Sequence, residues 1–234
     1  MIEKLCTLDG RLTCAASFVR PGAVVCDVGT DHAYILVYLL QRGIARYAVA
    51  SDINEGPLDR ARKSAAKFGV TDKIRFVLAD GLDGVHPEAD GVNDIIICGM
   101  GGELIARIVD QSDYTRKSDV NLILQPMTCA PELRQYLWDS GFCIHEEGLC
   151  EAAGKIYTCI HASYDGEKRA YSPADLILGR HHKHRGPLFD EYADTAVRRL
   201  NTQIAGMKKG GLDTTNVEAY LVSVETAIKM GGTI

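Results

Sequence analysis

No pair of cysteines in the chain is spaced C-x-x-C, although there are eight cysteines in 234 residues. That absence removes the usual redox and zinc-ribbon signatures, and a chain this long needs no disulfide framework to fold. The longest strongly apolar stretch, AYILVYLL from Ala33 to Leu40, falls far short of the roughly 20 residues that cross a bilayer. The start MIEKLCTLDG carries an acid and lacks an apolar core, so no secretory signal is visible. Low-complexity tracts and repeats are missing as well. Several cysteines sit within apolar runs, Cys26 in VVCDV, Cys98 in IIICG and Cys159 in YTCIH; they read as small reduced core residues of a cytoplasmic protein.

What is present is alternation. Short apolar runs at 24–28, 47–53, 74–80, 94–99 and 121–126 read as strands, and helical patterns at 32–43, 57–69, 102–110 and 131–141 separate them. Continuous apolar strands joined by helices predict a parallel sheet covered on both faces. After Gly141, FCIHEEGLCEA and KIYTCIHASY predict an antiparallel hairpin closing one edge. The expected fold is α/β, a class I Rossmann-like methyltransferase layout with a mostly parallel seven-stranded sheet. From Ser172 onward the pattern is helical. Phe189, Ala193, Ala196, Leu200, Ile204 and Met207 make one stripe, Gly210-Gly211 breaks it, and Thr215 with Glu218 reads as a capping box opening a second. A C-terminal helical hairpin or coiled coil follows, with domains expected at 1–165 and 166–234.

Charge divides in the same place. The net charge is −5, but residues 1–165 hold 16 Lys and Arg against 23 Asp and Glu, while residues 166–234 hold 10 against 8. A basic tail on an acidic body suits a polyanion that the body alone would repel. Arg180, Lys183, Arg185, Arg198, Arg199, Lys208 and Lys209 are its candidate phosphate contacts, with His181, His182 and His184 among them. No cysteine or acid stands at ligand spacing from those histidines, so no metal site is expected.

The first strand ends in DVGTDH and runs directly into a helix. Only Gly29 is available there, so the G-x-G-x-x-G that a dinucleotide's pyrophosphate needs is missing, and an NAD oxidoreductase is excluded on that ground. Asp27 and Asp31 flank the bend. They suit a ligand with positive charge, such as the ammonium and sulfonium of S-adenosylmethionine. Asp52 ends the second strand, where an acid can accept both ribose hydroxyls, and Asp80-Gly81 follows the third. Three acids at consecutive strand ends line the crevice where open α/β sheets bind ligands. The fourth strand closes in Gly99-Met100-Gly101-Gly102 and the fifth in Gln125-Pro126. Gly101, Gly102, Gln125 and Pro126 are candidate acceptor contacts.

DVGTDHAY, IICGMGGELI, LILQP, GKIYTCI and the opening Gly10-Arg11-Leu12 together resemble the bacterial tRNA (adenine-22-N1)-methyltransferase family (TrmK), over essentially the whole chain. The resemblance implies S-adenosylmethionine as methyl donor and tRNA as acceptor. It implies a cofactor pocket of Arg11, Asp27, Gly29, Asp31, His32, Asp52, Ile53, Asp80, Gly81, Gly99 and Met100, with Asp31 as the catalytic carboxylate. Met127 stands where the family usually has Asn, and Asp52 where Glu is common. Two other readings remain open on the residues alone. One is a methyltransferase of the same fold acting on a small molecule, against which the basic helical arm argues. The other is a non-catalytic RNA-binding protein with a vestigial pocket, against which the intact acids argue.

Overall fold

The computed structural model describes residues 5–231; the first four residues, part of the acidic start, lie outside them. The chain opens with α1 (Gly10–Ser17), whose N-terminus is capped by Asp9 accepting from the Leu12 N–H at 2.9 Å. Then come β1 (Ala23–Val28), α2 (Tyr34–Gln41), β2 (Ala45–Asp52), α3 (Glu55–Lys67), β3 (Ile74–Leu78), the short α4 (Pro87–Asp90), β4 (Asp94–Gly101), α5 (Gly102–Asp110), β5 (Asn121–Thr128) and α6 (Ala130–Asp139). The hairpin β6 (Phe142–Ala152) and β7 (Lys155–Tyr164) precedes α7 (Pro173–Leu178), α8 (Phe189–Lys209) and α9 (Thr215–Met230).

The strands form one sheet in the order β3-β2-β1-β4-β5-β7-β6, parallel except for β7, which runs antiparallel to both β5 and β6. All six residues of β1 are buried. Alternate side chains serve opposite layers: Ala23 and Val25 pack with α1–α3, while Val24, Cys26 and Val28 pack with the cluster that includes Ile105, Leu133 and Leu137. Each fully buried Val, Leu or Ile contributes roughly 1.5–3 kcal/mol. Parallel strands covered on both sides have no polar face to show, which is why they read as unbroken apolar runs.

A third cluster, Leu178, Phe189, Ala193, Leu200 and Val224, holds α7, α8 and α9 together. The helical stripes fall where the spacing predicts them, but the capping box does not. Asp213 accepts the Thr215 N–H at 2.9 Å, and Thr214 rather than Thr215 bonds Glu218. With three consecutive cap-forming residues, the earliest one takes the free N–H.

The helical segment is tied to the sheet by a fully buried ion pair. Arg134 of α6 donates through Nε to Glu147 of β6 at 2.8 Å and through Nη1 to the Leu176 carbonyl of α7 at 2.7 Å. The other Glu147 oxygen accepts the Arg180 N–H at 2.6 Å. Burial alone would raise the Glu147 carboxyl, but Arg134, then the neighbouring His181 and the Arg180 N–H, pull it below the ordinary carboxylate range. Gly179 passes so close that a Cβ there would lie 2.4 Å from Glu147 Oε2. Removing one partner strands a buried charge, so Arg134→Met should cost about 3–5 kcal/mol in urea unfolding. Replacing Glu147 by Leu at the same time should recover most of that loss.

Candidate active site

Backbone hydrogen bonds gather the strand ends into one crevice. The Gly29 and Thr30 N–H groups both donate to the Ser51 carbonyl, at 2.8 and 3.0 Å, so the bend after β1 is hooked onto the end of β2. The Ser51 hydroxyl donates to the Gly81 carbonyl at 2.9 Å, and the Ala79 N–H to the Asp52 carbonyl at 3.0 Å, which adds the turn after β3. Ser51 has no signal of its own in the sequence; a buried serine before a strand-end acid is visible only once the turns are placed.

Gly29 has φ +75°, the left-handed region that suits glycine, and an added Cβ would sit 2.0 Å from Met100 Cε. The fourth-strand loop therefore lies across the bend, with Gly99 at φ +81° turning the chain so that it can. Gly102 is explained by packing: a Cβ there would meet the Cys129 carbonyl oxygen at 2.1 Å. Gly101 stands next to Thr128, whose Oγ1 would be 3.3 Å from its Cβ.

The acids separate by environment. Asp27 is buried and accepts from the Thr30 hydroxyl, locking the bend from inside. Burial pushes its carboxyl up, Thr30 opposes this, Asp52 adds to it, and the result is about 7. Asp31 is 57% exposed and receives Arg60 Nε of α3 at 2.8 Å, with His32 Nε2 at 3.7 Å. His32 is itself left-handed (φ 68°) and stacks on Tyr34. Arg60, one helix away in sequence, is the partner that spacing could not reveal. Asp52 spends Oδ1 on the Asn54 N–H at 2.8 Å. Asp80 is exposed, and beside Asp52 the large apolar side chains Ile53 and Leu78 are 61% and 58% exposed. An acid able to take a diol, next to open apolar surface, fits a nucleoside.

On the acceptor side, Gln125 is buried, donates to the Pro126 carbonyl at 2.9 Å, and leaves Oε1 without a partner. Arg11 of α1 reaches this end of the sheet: its Nη1 lies 3.1 Å from Met127 Sδ and its guanidinium carbon 5.7 Å from the centre of the Tyr157 ring. The basic residues of the tail divide. Arg180 donates to the Ile144 carbonyl, Lys183 pairs with Asp175 at 2.7 Å, and Arg185 bonds the Ile228 carbonyl over Phe189. Lys208 pairs with Glu218 at 2.8 Å. Arg198 and Arg199 stand exposed on α8, and Lys209 is exposed at its last turn. His181 is buried, its imidazole pushed down to about 4 chiefly by that burial.

Comparison with known proteins finds methyltransferases. A family model for a methyltransferase domain matches residues 8–160. A Bacillus subtilis protein named tRNA (adenine(22)-N(1))-methyltransferase is 33% identical over 173 residues, covering 74% of this chain and 71% of its own. A Streptococcus pneumoniae structure described as a putative tRNA (m1A22) methyltransferase in complex with S-adenosyl-L-methionine is 33% identical, with a TM-score of 0.81 over 93% of this chain and 98% of that one. A Streptococcus agalactiae protein of the NADB-Rossmann superfamily superimposes with a TM-score of 0.86 at 29% identity, over 96% and 98% of the two chains.

Asp27 makes the crevice sensitive to pH. A cation bound beside it lowers its pKa, so binding of S-adenosylmethionine releases a proton wherever free Asp27 is protonated. Calorimetry should find the affinity rising as pH goes from about 6 to about 8, by at most about tenfold per unit, and flat in Asp27→Asn. Without ligand the sign is opposite. The folded state holds a proton that the unfolded chain has lost between about pH 4 and 7, so this group's contribution to stability falls as pH rises through that window.

Proposed function

The chain belongs to the methyltransferase-domain family, among its tRNA (adenine(22)-N(1))-methyltransferases, and on that premise we propose how its residues methylate adenosine 22 of tRNA. The reaction is S-adenosylmethionine-dependent methylation of N1 of the adenine. The cofactor supplies a methyl group made electrophilic by the sulfonium. The crevice fits it: the Gly29 bend lets backbone approach where a side chain would intrude, and the nearby acids match its cationic end. Asp52 takes the ribose diol, Ile53 and Leu78 cover the adenine ring, and Asp80-Gly81 faces its amino edge. Arg11, at the acceptor side of the crevice, is the cation for the carboxylate.

Asp31 is the observation that carries the catalytic assignment, an exposed carboxylate at the mouth of the bend, held by Arg60 rather than buried like Asp27. Adenine N1 is a neutral in-plane nucleophile and needs no deprotonation before attack. Positive charge grows on the base as the methyl arrives; a fixed carboxylate stabilises that charge and accepts from the N6 amino group. The remainder is alignment, to which Arg60 contributes by holding Asp31 in place. N1 lies on the Watson–Crick edge, so the base is presented unpaired.

Residues 1–165 form the catalytic domain and 166–234 a helical domain whose exposed cations, Arg198, Arg199 and Lys209, meet phosphates. No described helix is long and apolar enough to cross a membrane, and a tRNA substrate supports a cytoplasmic location. The deciding experiment combines nuclease digestion and mass spectrometry of tRNA with single variants. Wild type should leave one methyl on N1 of adenosine 22. Asp31→Ala should slow transfer by about 100–1,000-fold with an unchanged melting temperature, and the loss should persist at saturating cofactor; full activity in that variant would remove Asp31 from the reaction.

A further inference from the structure

A cleft of about 810 Å³ runs from Pro126 and Met127, at the end of β5, to the exposed side of α8. Its floor is apolar and aromatic, with Ile156, Tyr157, Ile177 and Tyr192 against Met127. A second opening of about 390 Å³ is lined by Thr195, Arg198, Arg199, Thr202 and Gln203, with no acid among them, and shares all but Thr202 with the cleft. Lys155 stands on the opposite lip, and among the described residues neither it nor Arg199 has a carboxylate partner. Arg198 bonds only within its own helix, to Thr195 Oγ1 and the Asp194 carbonyl. Glu132 and Glu191 also line the cleft and offer acceptors. The N-terminus of α6 opens on the same wall, with Cys129 left-handed and no side chain capping it.

This polarity, apolar and aromatic within and cationic at the mouth, is that of a nucleotide with its base inward and its phosphodiester outward. The cleft also begins where the acceptor crevice ends, so a strand whose adenine occupies the crevice carries its next nucleotide to this opening. Resting on the tRNA reading above, we propose that the cleft between the end of β5 and α8 is a subsite for the nucleotide adjoining the target adenosine. Its base lies over the apolar floor, the two glutamates accept from exocyclic amino groups, and Arg198, Arg199 and Lys155 hold the phosphates on either side. A residue on α8 thereby reads the strand beside the modified base, although it never touches the reacting atoms.

Thr195 lines both the cleft and the second opening, so Thr195→Trp fills the space with an indole. Three RNAs distinguish the outcomes: an unmodified tRNA transcript, and two copies with an abasic nucleotide immediately 5′ or 3′ of the target. Dissociation constants are read by fluorescence anisotropy without cofactor, and N1 methylation is mapped separately. For wild type, one of the two abasic RNAs should bind about tenfold more weakly. Thr195→Trp should lose about as much on intact tRNA and then be indifferent to the abasic change, with S-adenosylmethionine affinity and melting temperature unaltered. The double variant Arg198→Ala, Arg199→Ala should weaken binding of all three RNAs alike, with a salt dependence shallower by about two ions. Wild-type binding by Thr195→Trp, indifference of wild type to both abasic RNAs, or penalties that multiply independently would each overturn the subsite. An unmodified N1 in wild type would count against the reaction instead, because the binding data do not depend on turnover.

Discussion

The bend after β1 can exist only because three things coincide at Gly29. The residue must take φ +75°, it must leave room for the Met100 side chain where a Cβ would be, and its N–H must reach the Ser51 carbonyl. Any side chain at this position would meet a backbone penalty and would have to displace the flexible end of Met100. Everything at the crevice follows from the hook. With Gly29 and Thr30 fastened to β2, and Ser51 fastened to the turn after β3, the ends of three strands are bonded to one another. Met100 lies on the bend from the β4 side, so the cofactor half and the acceptor half of the crevice share a wall.

Two aspartates four residues apart do opposite work because the bend turns one in and one out. Asp27 faces Thr30 inside the protein and holds its proton up to about pH 7. In that state it braces the turn, and it ionises as the pH rises through that range. Asp31 faces solvent with Arg60 beside it and is available to the substrate. The pairing with Arg60 does not cancel Asp31. An exposed ion pair is a weak constraint in water, enough to fix the carboxylate's position and easily exchanged when a charged ring comes close.

The layout was legible in the sequence for a physical reason: strands buried on both faces must be apolar throughout, and the helices between them end at glycines such as Gly43, Gly69 and Gly141, all with positive φ. DVGTDH and the strand-end acids were legible too, because their chemistry follows from position alone. What stayed hidden were partners distant in sequence. Arg60 reads as one more helix-face cation until α3 is folded beside Asp31. Arg134 and Glu147 read as ordinary surface charges, since burial of an ion pair leaves no periodic mark. The tail's cations likewise read as one basic set, and folding divides them. Arg180, Lys183, Arg185 and Lys208 are engaged across elements, while Arg198 bonds only within α8 and Arg199 is exposed.

That division gives the buried Arg134–Glu147 pair a meaning beyond stability. Such pairs often contribute little net energy, and apolar replacements of the same shape can be as stable. Here the pair has four attachments, on α6, β6, α7 and the backbone at Arg180, and its geometry admits only one placement of α7 against the sheet. Apolar packing is non-directional, so it specifies the angle and register of that helix less sharply than oriented bonds do. Hydrogen bonds to a buried charge are directional. The cleft between β5 and α8 draws its lining from both sides of this joint, with Thr128 and Ile156 from the sheet and Ile177 from α7. On the reading proposed above, a substrate strand that places an adenine against Asp31 while its phosphates lie on α8 needs that distance fixed, and the ion pair is the contact that fastens the helical segment to the sheet.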